Sequence, residues 1–375
     1  MKIKYITNVR LPTSRAAGYA IMKMCSEFAK AGVNTELYVP KKENNDNKQD
    51  PFDFYKIEKN FQINRIPGLD LLALTEKFGR IFYWIDIIFF LALSKLLIKV
   101  GKDDILYTRD YLVALLFSRQ NVFLELHDIP RAKSLFKLSI KKAKKIFVLN
   151  NNLKNELINL DIAENKIFIS PSGVDVEEFD INISKEEARK KVDLPQDKKI
   201  VLYTGHLYAW KGADVLAESS KLLPDVLFVF VGGTESELGD FMNKYGVAKN
   251  VLIKSFVSHS IIPVYLKAAD ILAIPNSAKE KISSRYTSPL KLFEYMSSRG
   301  PIVASDLPSI REILSNENCV FSRSDDPKSF AKSIEKILNN PDLVHAITNK
   351  SFESVKQYSW RVRVNNIIVS MKNEG

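Results

Sequence analysis

The sequence is poor in the residues that build metal centres and disulfide frameworks. It has two cysteines, Cys25 and Cys319, far apart, and four histidines, His127, His206, His259 and His345. None stands at the spacing a zinc site requires, so no metal is expected. Cys25 falls in a helical apolar pattern and reads as a small core residue. The G-x-x-x-x-G-K-[ST] phosphate loop is missing, as are the G-x-G-x-x-G dinucleotide fingerprint, the G-x-S-x-G nucleophile elbow and the kinase set. These absences weigh against ATPase, dehydrogenase and hydrolase chemistry. The amino end, "MKIKYITNVR", enters a strand-like run directly, without the apolar stretch and cleavage site of a signal peptide. The expected location is the cytoplasm. No uncharged stretch has membrane-spanning length. The most apolar segment, "IFYWIDIIFFLALSKLLIKV" (Ile81 to Val100), is broken by Asp86 and Lys95. It reads either as a helix buried inside a domain or as one that dips into a membrane surface.

What is present describes a globular α/β protein. The 375 residues suggest two domains at roughly 150 residues each. Hydrophobic content is 46%, and the formal charge of +11 favours anionic partners. Continuous apolar runs recur: Ile3–Thr7, Thr35–Val39, Asp104–Thr108, Asn121–Leu126, Lys145–Leu149 and Lys166–Ser170 in the first half. A charge-rich stretch, Val174–Lys199, reads as a linker with a short helix. Then come Ile200–Gly205, Val226–Gly233, Val251–Val257, Asp270–Pro275, Pro301–Ser305 and Cys319–Ser322. Helical patterns lie between them, as in the segment with Ile21, Cys25 and Phe28 on one face. Such runs fit parallel strands covered on both sides. Two blocks of alternating strand and helix predict two doubly wound domains, with ligands at the carboxyl ends of the strands and a cleft between the domains as the site.

Several residues at those ends could handle phosphate. Gly205 ends one strand, with Lys211 six residues on, and Gly232 and Gly233 end the next. Glycine there allows a ligand to approach the backbone. In "RYTSPLKLFEYMSSRGPIV", Ser288 reads as the N-cap and Pro289 as the first residue of a helix. Lys291 then sits in the first turn, where the helix dipole disfavours a cation unless an anion is bound. Glu294 is one turn on. It can accept hydrogen bonds from ribose hydroxyls, or simply pair with Lys291 in solvent. In the first half, Arg109 and His127 stand at strand ends and are expected in the same site. The run "RAKSLFKLSIKKAKK" (Arg131–Lys145) holds seven cations and no acids. It reads as a helix on an anionic membrane or as an ordinary surface helix. No nucleic-acid module accompanies it, so nucleic acid is not an expected partner.

Taken together, "SPSGVDVEEF", "YTGHLYAWKGAD", "VFVGGT", "YLKAADILAIPNS" and "TSPLKLFEYMSSRGPIVASDLPSIREIL" resemble, in order, the retaining GT-B glycosyltransferases of family 4, also called group 1. The resemblance implies two Rossmann-like doubly wound domains facing a cleft. An acceptor-side domain would span 1–178 and a nucleotide-sugar domain 179–356. A last helix, 357–375, would cross back onto the first domain. It implies a metal-independent enzyme without a cofactor, whose substrates are a UDP- or GDP-linked sugar and a saccharide or lipid-linked saccharide of a surface glycan. Gly205, His206 and Lys211 would lie at the diphosphate, and Thr287, Ser288, Pro289, Leu290 and Lys291 would cap the phosphates. Gly232, Gly233, Phe256 and Val257 would frame the base, and Glu294 would bind ribose. Gly18 would let the first loop approach the donor, Arg109 would join the donor side, and His127 would stand by the transferred sugar. The chain departs from the family pattern at two positions: Tyr286 stands where a first glutamate is usual, and His206 where an arginine is usual. Two other readings remain: a nucleotide-sugar epimerase on a similar fold, and a non-catalytic nucleotide-sugar-binding protein.

Overall fold

The structure is a computed structural model and describes residues 1–41, 49–69, 71, 80–130, 133–246 and 248–373. The chain forms two compact units, Met1–Ser170 with Trp360–Gly375, and Pro171–Ser359.

The first unit is built on seven strands: β1 (Lys2–Ile6), β2 (Asn34–Lys41), β3 (Gln62–Pro67), β4 (Ile105–Thr108), β5 (Asn121–Leu126), β6 (Lys145–Val148) and β7 (Ile167–Ile169). They run parallel in the order β3-β2-β1-β4-β5-β6-β7. The central strands are mostly apolar and buried along almost their whole length because both faces are covered. β3 escapes the sequence reading because it is an edge strand, QINRIP, only partly buried and ended by proline. The order reverses between β1 and β4. Ligands of such sheets bind outside the carboxyl ends at that reversal.

The helix Ala16–Lys30 buries Ile21, Cys25 and Phe28. Against it packs the last helix, Trp360–Lys372, which buries Trp360, Val364, Ile367 and Met371. The apolar segment forms the helix Arg80–Leu97. It buries Ile87 and Phe90 but leaves Ile81, Ile88 and Leu96 outside, 64%, 62% and 74% exposed. The reading of this helix as buried inside a domain is therefore corrected: only one of its faces is covered. Of the basic run, Arg131 and Ala132 lie outside the described residues, and the helix Lys133–Lys142 follows them. Among the described residues no helix is long and apolar enough to cross a membrane.

The second unit has six parallel strands: β8 (Lys199–Thr204), β9 (Val226–Val231), β10 (Val251–Lys254), β11 (Ile271–Ile274), β12 (Ile302–Ser305) and β13 (Val320–Ser322). Their order is β10-β9-β8-β11-β12-β13, reversing between β8 and β11. The two-residue period divides the core. Ile200, Leu202, Val229 and Leu272 join one apolar cluster, while Val201, Tyr203, Phe228 and Ala273 join the other. The expected linker Val174–Lys199 belongs to this unit. Val174, Phe179, Ala188 and Val192 enter its core, and Arg189 pairs with Asp270 at 2.7 Å. Apart from the buried Arg189, its charged residues lie on the solvent side of packed segments.

Candidate functional site

In the second unit β8, which borders the reversal, and its neighbour β9 end in glycines that approach each other. Gly205 and Gly232 both have φ of 120°. A Cβ on Gly232 would lie 2.8 Å from the Gly205 carbonyl oxygen, so no side chain fits there. A Cβ on Gly205 would instead lie 3.5 Å from Lys291 Nζ and 3.8 Å from Lys211 Nζ. Two amines thus converge over a bare stretch of backbone. Lys291 comes from the helix Leu290–Ser297 and is buried, with no hydrogen-bond partner for Nζ among the described residues. The ring face of Tyr203 lies 3.7 Å from the amine. A desolvated cation–π contact is worth about 2 kcal/mol, whereas burying an unpaired charge costs several. Burial, with the nearby charge of Lys211, holds the Lys291 amine well below the usual lysine range. Lys211, at the end of the turn Ala209–Lys211, is lowered to about 8 by burial.

Of the two readings of Glu294, the ion pair with Lys291 does not form. Glu294 accepts from His259 Nε2 at 3.0 Å, and His259 Nδ1 stands 3.5 Å from Glu178. Burial opposes a charge on His259, but hydrogen bonds to Glu178 and Glu294 outweigh it and push the imidazole up to about 9. A cationic histidine therefore holds Glu294. The capping expectation is also corrected. Pro289 occupies the N-cap position with extended backbone, Leu290 begins the helix, and no side chain caps it. Ser288 Oγ accepts from Ser172 N at 3.1 Å, and its carbonyl accepts from Ser172 Oγ at 2.7 Å. Those two bonds outcompete the local cap and leave the helix's first N–H groups without a side-chain acceptor. Thr287 closes the preceding turn through its N–H to the Ile282 carbonyl. Tyr286 is buried in that turn.

The rest of this rim is also placed at strand ends. His206 follows Gly205, bonds Glu237 at 3.2 Å and stacks on Tyr208 at 4.9 Å. Gly233, with φ of 94°, follows Gly232. After β10, Phe256 is 47% exposed while Val257 packs on the core.

In the first unit a carboxylate, not a cation, is central. Glu125 of β5 is fully buried and surrounded by Arg109 at 2.8 Å, Arg363 at 3.2 Å, His127 at 2.6 Å and the Tyr107 hydroxyl. Burial alone would raise its pKa, but Arg109, Arg363 and His127 together hold the carboxyl well below its usual range. A carboxylate only accepts, so His127 Nε2 carries the proton and Nδ1 is left as an acceptor. Burial and then Arg109 lower the His127 pKa, which keeps the ring neutral near pH 7. Gly18 stands in the first turn of its helix rather than in the loop expected for it. The Tyr55 hydroxyl fills the space a side chain would take.

The family model for glycosyl transferases group 1 matches residues 184–354, nearly all of the second unit. Through those residues, rather less than half of the chain, the second unit is similar to the group 1 glycosyl transferases. An uncharacterized glycosyltransferase of Methanocaldococcus jannaschii is 26% identical over 237 residues, covering 60% of this chain and 58% of that relative. The chain thus spans little more than half the length of the curated relatives it matches. Among solved structures, sucrose-phosphate synthase from Thermosynechococcus elongatus superposes with a TM-score of 0.81 at 16% identity, over 99% of this chain and 98% of the other. HepE of Anabaena in complex with UDP-glucose gives 0.76 at 13% identity over the whole of both chains. At such identities the likeness is one of fold, and the fold is of the GT-B class.

Within the matched region, Gly205, Lys211 and Lys291 come together, with Gly232 and Gly233 at the end of the adjoining strand. Arg109 and His127 come together in the first unit, through Glu125. Glu125, Arg363, Tyr203 and His259 escaped the sequence reading. Glu125 left a signal: residues two apart in a strand share a face, so Glu125 and His127 in "FLELHDIP" had to be neighbours. Arg363, on the last helix, left none.

Proposed function

We propose that this protein is a metal-independent, retaining glycosyltransferase of family 4. It moves a sugar from a UDP- or GDP-linked donor to a saccharide or lipid-linked saccharide in surface-glycan synthesis. The observation that carries the donor half is Lys291, buried and unpaired beside Lys211 over the bare backbone of Gly205. A diphosphate between the amines removes the penalty of burying them. The uncapped start of the helix at Leu290 adds N–H donors to the same anion.

In this reading the second unit binds the donor. Lys211 and Lys291 neutralise the diphosphate, with Thr287, Ser288, Pro289 and Leu290 shaping the turn that meets it. His206 lines the same turn through Glu237. Glu294, fixed by His259, accepts from the ribose hydroxyls. Gly232, Gly233 and Val257 frame the base, and the exposed ring of Phe256 supplies a stacking surface. As the glycosidic bond breaks, charge develops on the departing diphosphate. Fixed cations stabilise it without reorganising, an effect worth about 3–4 kcal/mol in comparable sites. The first unit receives the acceptor. There His127 stands by the transferred sugar with Nδ1 as its acceptor atom, and Glu125 and Arg109 hold its orientation. Gly18 keeps the first turn close-packed on Tyr55, which sets the path of the preceding loop. HepE is solved with UDP-glucose, which supports a uridine donor.

A thermal-shift screen of UDP-, GDP- and ADP-sugars tests the donor half. One uridine or guanosine donor should raise the melting temperature at millimolar concentration, by the linkage of binding to folding. No shift with any of them contradicts the assignment.

A further inference from the structure

The helix Arg80–Leu97 is apolar on both sides, yet only one side is covered. Asp86, Ile87, Phe90 and Ser94 form the buried side. Ile81, Trp84, Ile85, Ile88 and Leu96 recur at helical spacing on the other and lie open. A soluble surface helix carries polar residues on that side, and a contiguous apolar stripe of this kind marks a docking surface. Tyr83 and Trp84 lie exposed near its amino end, edge to face at 5.9 Å.

Two further helices pack in series beside it. Lys95 Nζ reaches the Leu116 carbonyl at 3.5 Å and lies 4.7 Å from the Phe117 ring, which ties the helix to Tyr111–Leu116. On that segment packs Lys133–Lys142, through Tyr111 against Phe136 at 5.6 Å and Ser139 Oγ donating to the Tyr111 carbonyl. Its outward residues are Leu135, Leu138, Lys141 and Lys142, and its sequence has no acid. An exposed apolar stripe and an apolar, cationic helix thus both pack on the segment Tyr111–Leu116 within one unit.

We propose that these two helices form a bilayer-docking face, and that its occupant is the surface of an anionic lipid membrane. Three features select a bilayer. The stripe is apolar, its end carries the Trp and Tyr that favour the boundary between headgroups and acyl chains, and the adjoining cations match anionic headgroups. A second copy fits poorly, because a two-fold interface through this face would bury its lysines against a surface on which neither helix exposes an acid to pair them. The helix lies in the plane of the boundary. This face places the first unit where a lipid-linked acceptor is found, but it does not depend on the reaction proposed above.

Co-sedimentation of the full chain with vesicles tests the face. Binding should appear with phosphatidylcholine vesicles containing phosphatidylglycerol, weaken at least about tenfold with phosphatidylcholine alone, and weaken with added salt. Because Ile88 and Leu96 are outside the core, the double variant Ile88→Glu, Leu96→Glu should melt at the parental temperature and lose the vesicle binding. Trp84 fluorescence should shift to the blue on anionic vesicles, and Trp84→Phe should remove the shift. Absence of anionic-lipid binding overturns the proposal, as does unchanged binding by the double variant. A lipid-free dimer that the double variant dissolves also overturns it, since a second copy then covers the face.

Discussion

Both units bury charged side chains at the carboxyl ends of parallel strands, and they balance them in opposite ways. In the first, the Glu125 carboxylate meets two guanidiniums, an imidazole and a hydroxyl. In the second, Lys211 and Lys291 converge and the Lys291 amine has no hydrogen-bond partner among the described residues, while Glu294 on the same helix is bonded to His259. A buried charge with every partner present is a fixture of the fold. A buried charge without one is a site whose partner arrives from outside. The difference separates residues that hold the structure from residues that wait for a ligand, although all are buried and all are charged.

Removing the balanced charge breaks this contrast most severely. Glu125→Ala leaves Arg109 and Arg363 buried without their anion, and should cost about 3–5 kcal/mol of stability in chemical denaturation. It should also loosen the last helix, because Arg363 joins that helix to Ser170 and Glu125. A loss below about 1 kcal/mol would mean that the cluster is not the fixture described.

A smaller effect sharpens the other side. His259→Ala frees Glu294 from its anchor, so UDP affinity should fall about five- to tenfold, on the order of one hydrogen bond. Inorganic pyrophosphate, which has no ribose, should bind as before. Equal losses for both ligands would place His259 at the phosphates instead.

The smallest effect is a proton count. Lys211 titrates at about 8 and Lys291 below the usual lysine range, so both are partly neutral in alkaline solution. A bound diphosphate favours their charged forms. Calorimetry near pH 8.5 in buffers of different ionisation enthalpy should therefore show proton uptake on UDP binding, and affinity should fall as pH rises through about 8. Proton release would reverse the sign assigned to the pair.

Most of the fold was legible because fully covered parallel strands leave unbroken apolar runs, as in "VLFVFVGG". β3 was not, since an edge strand has little apolar surface to declare. The donor-side residues were legible one at a time: Gly205, Lys211, Lys291 and Glu294 stand at strand and helix ends. Their pairing was not. Lys291 and Glu294 share a helix side and look like an ion pair, but His259, distant in sequence, takes the carboxylate. Ser288 looks like a cap, but Ser172 takes its hydroxyl. In each case a long-range partner defeated a sound local rule. The helix Arg80–Leu97 shows the converse: its apolar composition was plain, but not which side would be covered.

The central claim is that Lys291 is buried for a ligand and not for the fold. Lys291→Met, of similar length and without charge, tests it in one pair of measurements, thermal melting and UDP or GDP calorimetry. The predicted result is a ligand-free melting temperature equal to or above the parent, with nucleotide-diphosphate affinity reduced at least about a hundredfold. A lower melting temperature with unchanged affinity would contradict it.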